Sequence, residues 1–253
     1  MNASAWLGIA QDVGVLAMFI ATPWLDIPAM RRLRAHPDST ARLALYRRIC
    51  LALWLGLGYV LMVAGPTRIW TIVRAPGEWP WLDSPFGAGA AISVCVGFFA
   101  LAFWPGLRVL ANPATRARYA RGMQPLAFFL PGSARERYWW AALSISAGVC
   151  EECVFRGFLT QHLRGALDGP LQLGLTPAVL LATTAFGLNH AYQGVSGVLR
   201  TALLGLVFSL VTVLSGSLLL PIVLHALADL VALLIYRPDE HAATAARATT
   251  QTT

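Results

Sequence analysis

Lysine is absent from this 253-residue chain, and charged residues of every kind make up only 12% of it. A soluble globular domain carries about 25% charged residues, because its surface has to be wetted. Half that fraction leaves too little polar surface for a soluble body of this size, which excludes a soluble enzyme, a disordered chain and a coiled coil together. Cysteine is scarce too: Cys50, Cys95, Cys150 and Cys153 are the full set, all in apolar segments. That excludes an extracellular disulfide framework. No fixed-period repeat and no separate soluble domain is visible. Hydrophobic residues are what the chain has in quantity, at 57%, with a mean hydropathy of +0.61. The fold class that follows is an all-α polytopic membrane protein.

A membrane helix needs roughly 20 mainly apolar residues. Seven segments approach that length, at about 5–25, 49–65, 86–104, 138–163, 175–191, 198–214 and 217–236. Pro177 and Pro221 fall near the starts of the last-but-two and last segments, where a missing N–H costs least. The net charge of +7 would point to nucleic acid in a soluble protein, but here the arginines follow the loops. Segment 26–48 holds Arg31, Arg32, Arg34, Arg42, Arg47 and Arg48, and segment 105–137 holds Arg108, Arg116, Arg118, Arg121, Arg135 and Arg137. With seven spans both fall on one side, with Arg200, Arg237 and Arg247, against Arg68, Arg74 and Arg164 on the other. The arginine-rich side faces the cytoplasm, so the N-terminus is expected outside and the C-terminus inside, with no nucleic-acid partner.

Between Pro125 and Pro131 the sequence predicts a short interfacial stretch that dips Phe128 and Phe129 into the membrane. The Ala/Thr-rich residues from 237 to 253 are expected to be a disordered cytoplasmic tail. The chain then divides into three N-terminal spans with arginine-rich cytoplasmic loops (1–137), a core of four spans (138–236) and that tail (237–253).

An ionisable side chain at the centre of a span costs roughly 2.5–3.5 kcal/mol even on the lenient scale, so those present mark function by default. Glu151, Glu152 and Arg156 lie 11 to 17 residues beyond Trp139 and Trp140, a pair expected at the membrane interface, and so about 17–25 Å deep at 1.5 Å per residue. Glu152 and Arg156 are four apart with the acid first, the favourable order for a pair on one helix face. Glu151 lies about 100° around the helix, so one carboxylate is held by the arginine while the other is left for chemistry. A surplus buried carboxylate gives no stability benefit of its own.

His190 closes AFGLNH in the fifth segment, and His225 and Asp229 stand one turn apart in the seventh, where the carboxylate can orient the imidazole. Gly148, Gly157, Gly187 and Gly205 would let the helices approach closely, although each alone is as readily an ordinary membrane-helix glycine. Two glutamates, two histidines and an aspartate on three helices fit hydrolysis by a water that a carboxylate deprotonates.

The order E-E-x-x-x-R in Glu151–Arg156, F-x-x-x-H in Phe186–His190 and H-x-x-x-D in His225–Asp229 resembles the CAAX-protease and bacteriocin-processing family of glutamic intramembrane endopeptidases. That family is also called the type II CAAX prenyl endopeptidase or abortive-infection family. The resemblance covers about residues 138–236 and implies a role for each position. Glu151 would activate water as general base, assisted by His190. Glu152 would be held by Arg156 and shape the site. His225 and Asp229 would stabilise the oxyanion, although many members carry Asn where this chain has Asp229. No cofactor or metal is implied. The substrate would be a membrane-bound protein or peptide, prenylated or bearing a C-terminal sorting signal, cleaved in a multi-pass protein of the bacterial cytoplasmic membrane.

Three other readings compete. Cys150 and Cys153 with His190 and His225 would make a Cys₂His₂ zinc site, and a metal held by Glu and His would make a metal-dependent membrane protease. A proton-coupled transporter would use the buried Glu/His/Asp set, with Asp12 as an added carboxylate, but the inverted repeat of such folds is not evident. A non-catalytic scaffold would retain the fold without chemistry.

Overall fold

A computed structural model describes residues 3–17, 22–70, 79–171 and 174–236. All regular structure among them is helical. In chain order the helices are α1 (Ala3–Leu16), α2 (Thr22–Ala35), α3 (Ser39–Ala64), α4 (Pro66–Trp70), α5 (Pro80–Asp83), α6 (Pro85–Ala111) and α7 (Pro113–Gly122). A 3₁₀ turn at Gln124–Leu126 leads to α8 (Ala134–Glu151), which passes through a π-helical stretch at Glu152–Leu159 into α9 (Thr160–Leu171). Then come α10 (Leu175–Leu188), a 3₁₀ turn at Ala191–Gln193, α11 (Val195–Ser215) and α12 (Leu219–Ile235). The tail expected from 237 lies outside the described residues.

Among the described residues three helical stretches are long and apolar enough to cross a membrane, Ser39–Ala64, Pro85–Val109 and Val195–Ser215. Trp6–Leu16, Leu175–Leu188 and Leu219–Ile235 are shorter apolar helices. The segments read as loops from their arginines are mostly helical: α2 and the first turns of α3 occupy 26–48, and α6 runs to Ala111 before α7. Arginine opposes burial in lipid but is a good helix former, so charge marks the edge of the bilayer and not the edge of a helix. Side chains declare those edges instead. Asp38 caps α3 by accepting from Ala41 N–H at 2.8 Å, Ser84 caps α6 ahead of Pro85, and Asn112 caps α7 ahead of Pro113.

The rod α8–π–α9 organises the bundle. Helix α3 runs parallel to it: Arg42 meets Glu136 at 3.2 Å, the Tyr46 and Trp140 rings lie 5.8 Å apart, and Trp54 Nε1 donates to Ser146 Oγ at 3.1 Å. Helix α12 runs antiparallel on another side. Arg137 donates to the Leu233 and Tyr236 carbonyls at 2.7 and 3.2 Å, filling the last acceptors of α12. Lipid gives no hydrophobic drive for helices to associate, so close packing has to hold them. The four glycines singled out above sit at such contacts. A Cβ on Gly148 would stand 2.8 Å from the Ile222 carbonyl, on Gly157 2.8 Å from Ile69, and on Gly187 2.9 Å from Ala202. A Cβ on Gly205 would stand 2.9 Å from Phe186 and 3.0 Å from Arg156 Nη2.

Phe129 does not dip into lipid. It is buried against Tyr46 and Trp140, with centroids 5.4 and 5.2 Å away, and its carbonyl accepts the Tyr46 hydroxyl. Phe128 carries the Arg34 guanidinium at 4.6 Å from its ring centre. The segment is drawn inward by Ser133 and Glu136, which form a capping box at the start of α8. Glu136 also accepts from the Gly132 and Ser133 N–H groups. Burial alone would raise its carboxyl pKa, but hydrogen bonds from Ser39, Gly132 and Arg42 hold it below the ordinary value.

Candidate active site

The candidate residues divide between two depths. The deeper group is Glu152, Arg156 and His225, whose side chains are 0%, 2% and 4% exposed. Glu152 Oε1 accepts from Arg156 Nη1 at 3.0 Å and from His225 Nδ1 at 2.7 Å. Arg156 Nη2 donates to the Gly205 carbonyl at 3.0 Å, and its guanidinium lies over Phe186 at 4.3 Å and Phe208 at 5.4 Å. Phe208 also stacks on the His225 ring at 5.1 Å. One arginine is thereby fixed by a carboxylate, a carbonyl and two aromatic faces, and three helices converge on it. A buried charge survives in such a place only when paired and hydrogen-bonded.

The expectation that Asp229 orients His225 is corrected. Asp229 Oδ2 stands 3.8 Å from His225 Nε2, beyond hydrogen-bond reach, while Glu152 takes Nδ1. The i, i+4 spacing within α12 is satisfied in sequence but loses to a carboxylate on the neighbouring rod. A carboxylate accepts only, so the proton of that bond is on His225 Nδ1. Nε2 is left pointing between Asp229 and Glu151, whose Oε2 is 3.9 Å away.

The shallower group is Glu151, His190 and Asp229, which line one cavity of about 440 Å³ between α3, α8, α12 and the Asn189–Gln193 turn. His190 Nδ1 is 2.9 Å from the Phe186 carbonyl. A carbonyl cannot donate, so Nδ1 carries a proton, and in the neutral ring Nε2 keeps a lone pair. The neutral imidazole is therefore oriented with Nε2 as its acceptor. Adjacent glutamates part in this way because successive helical residues point about 100° apart, and the rod widens to π geometry as Glu152 begins. Thr160 N–H and Oγ1 both reach back five residues to the Phe155 carbonyl, the latter at 2.8 Å. Such π segments recur at functional sites.

Sequence reasoning missed several groups on the cavity wall. Asn189, Tyr192 and Gln193 follow directly from the NHAYQG run, whose only weighed member was His190. Trp140, expected at the membrane interface, instead lines the cavity and donates to the Asp229 carbonyl at 3.2 Å. Arg48, counted only as a loop charge, is also on the wall. Among the described residues neither a cysteine–histidine metal cluster nor an added Asp12 is found at the cavity. Among the described residues no three His, Cys, Asp or Glu groups gather as metal ligands. Asp12 pairs with His162 at 3.0 Å, away from the cavity lining.

Residues 133–231 match the family model described as type II CAAX prenyl endopeptidase, Rce1-like. No curated protein and no solved structure matches the chain.

Proposed function

We propose, from the premise that residues 133–231 form an Rce1-like domain of the type II CAAX prenyl endopeptidase family and that the chain is accordingly a membrane protease, a glutamic mechanism built on the two depths of the site. Glu151 takes a proton from a water molecule in the cavity, with the His190 Nε2 lone pair as its assistant. The hydroxide attacks the scissile carbonyl, and the same groups return the proton to the departing amine. Glu152 and Arg156 set the His225 ring so that Nε2 meets the developing oxyanion, with Asp229 beside it. A negative Asp229 acts by holding a proton on Nε2, since it would otherwise repel the oxyanion. The observation that carries this reading is a single cavity lined by Glu151, His190 and Asp229 and backed by the buried Glu152–Arg156–His225 cluster.

Finer points belong to the same proposal. The chain makes seven passes with the N-terminus outside and the C-terminus cytoplasmic; the parallel α3 and α8 and the antiparallel α12 fit that alternation. Residues 138–236 form the catalytic core on three N-terminal spans (1–137), and 237–253 is a tail. The membrane is the bacterial cytoplasmic membrane, and the substrate is a prenylated or otherwise membrane-anchored protein.

The test is cleavage of membrane-anchored reporter peptides by the protein in lipid, with Glu151→Ala alongside and a chelator in a parallel arm. Cleavage that vanishes in the variant and ignores the chelator is expected. Cleavage that persists in Glu151→Ala removes the assigned base, and cleavage lost on chelation and restored by zinc replaces the mechanism with a metal-dependent one.

A further inference from the structure

A second, smaller pocket lies on the far side of the Glu152–Arg156–His225 cluster. It shares no lining residue with the catalytic cavity, and Arg156 lines only the smaller one. Thr160, Ser209 and Thr212 are its other buried polar walls, and these three and Arg156 are 4–8% exposed. Leu175 and Val179 close its apolar side, while the half-buried Gln161 and Val213 mark where it opens. Trp79 packs against Leu175 and Val179, and its Nε1 donates to Thr176 Oγ1 at 2.7 Å. An apolar ring with a donating tip suits a membrane–water interface. Thr160 follows Glu151 along the rod whereas Glu136 precedes it, so the opening is at the end of the bundle remote from Arg42 and Glu136.

Donors and acceptors in this pocket are complementary. A guanidinium has five N–H groups, and Arg156 gives one bond to Glu152 and one to the Gly205 carbonyl, each at 3.0 Å. Each hydroxyl has spent its single proton on a backbone carbonyl. Ser209 donates to Gly205 at 3.0 Å, Thr212 to Phe208 at 2.8 Å and Thr160 to Phe155 at 2.8 Å. The hydroxyls therefore turn lone pairs toward the pocket, opposite the N–H groups of Arg156. A metal cation is repelled by the arginine. An anion meets a guanidinium already paired with Glu152, among oxygens with no proton left to give. Water suits both halves, because it accepts from N–H and donates to lone pairs. The pocket measures about 20 Å³, above the roughly 10–15 Å³ that one water needs.

We propose that this pocket binds a water molecule between Arg156 and the hydroxyls of Ser209 and Thr212, and that the water enters from the end of the bundle opposite the catalytic cavity. It accepts from the guanidinium and donates to the two oxygens. Arg156 is then held from behind as well as by Glu152, which makes Ser209 and Thr212 positioning residues for the buried cluster. The water site stands on its own geometry, and its effect on cleavage rests on the protease reading above.

The experiment is hydroxyl-radical footprinting by X-ray radiolysis of the whole protein in bilayer nanodiscs, read by mass spectrometry. Bound water makes radicals where it sits, so the walls of a wet pocket are oxidised although bulk solvent does not reach them. Leu175 and Val179, each 2% exposed, are the sensors, and Leu218 and Val60, each 0% exposed in the apolar core, are the comparators. Labelling of the sensors above the comparators is expected in the wild type and in Thr212→Ser, and its loss is expected in the double variant Ser209→Ala, Thr212→Val. The double variant should also lose about tenfold in kcat with KM unchanged, the worth of one hydrogen bond to a charged group, and Thr212→Ser should keep its kcat. Wild-type sensors labelled no more than the comparators overturn the proposal, and so does labelling that persists in the double variant. Labelling that falls when chloride replaces gluconate assigns the pocket to an anion and overturns it as well. Labelling lost with kcat unchanged removes the positioning role. A wild type that is labelled as expected yet cuts no reporter peptide counts against the protease reading alone.

Discussion

Two glutamates among the described residues are wholly buried, and each faces an arginine. Glu136 meets Arg42 at 3.2 Å, and Glu152 meets Arg156 at 3.0 Å. Their surroundings differ in kind. Glu136 also accepts from the backbone N–H groups of Gly132 and Ser133 at the start of α8, so it closes a helix end and a turn. Glu152 is held by side chains instead: its Oε1 is shared by Arg156 and His225. The first arrangement serves the fold. The second holds an imidazole behind the cavity that Glu151 and Asp229 line.

If that distinction is right, the largest separation appears in activity. Glu151→Gln should lower reporter cleavage by about 10²–10⁴-fold, the usual worth of a general base, with the thermal midpoint little changed. Glu152→Gln should lower it by about 10²-fold through a misplaced His225. Glu136→Gln should leave kcat close to wild type and act on stability instead. Comparable cleavage losses at positions 136 and 152 would erase the contrast.

Stability sharpens the same comparison. Arg156→Met strands a buried carboxylate and should cost about 3–5 kcal/mol, whereas Arg42→Met leaves Glu136 its backbone donors and should cost about 1–3 kcal/mol. Denaturant or thermal unfolding in detergent reads both. Gly205→Ala presses a methyl onto Phe186 and Arg156 and should cost about 1–3 kcal/mol, with cleavage falling in step because Arg156 moves.

Acid tests the Glu136 pair in another way. The folded-state pKa of Glu136 is lowered from its ordinary 4.5. Its contribution is therefore present above about 4.5 and is lost as the pH falls below that value toward the lowered one. Thermal midpoints should drop across that acid window in the wild type, and the drop should shrink in Glu136→Gln. The smallest effect is expected from Cys150→Ala with Cys153→Ala. Loss of about 1–2 kcal/mol of packing with cleavage retained would fit two apolar fillers, while abolished cleavage would revive a thiolate role.

Much of the site could be read from residue order. Glu151, Glu152, Arg156, His190, His225 and Asp229 stand out because the bilayer makes every one of them expensive, so each needs a reason. The helical nature of the chain followed from its hydropathy, and the close-approach glycines followed from what lipid cannot supply. The Arg-rich segments misled because charge reports depth, not backbone conformation. The partner of His225 misled because spacing inside one helix ranks local candidates only. Phe129 and Trp140 misled because an aromatic beside a membrane edge can face lipid or protein with the same local sequence.

What the sequence determined alone was therefore composition-bound: an apolar helical chain, its buried ionisable residues, and the Glu152–Arg156 pair that a single helix face enforces. What only the tertiary structure decided was every choice between helices. The parallel register of α3 and α8 put Arg48 on the cavity wall, and the meeting of α8 with α12 gave His225 to Glu152 and left Asp229 at 3.8 Å. The reason is range. Periodicity and side-chain cost act within a turn or across the bilayer and are written in local order, whereas pairing across helices depends on which glycines allow contact and how far one rod slides along the next.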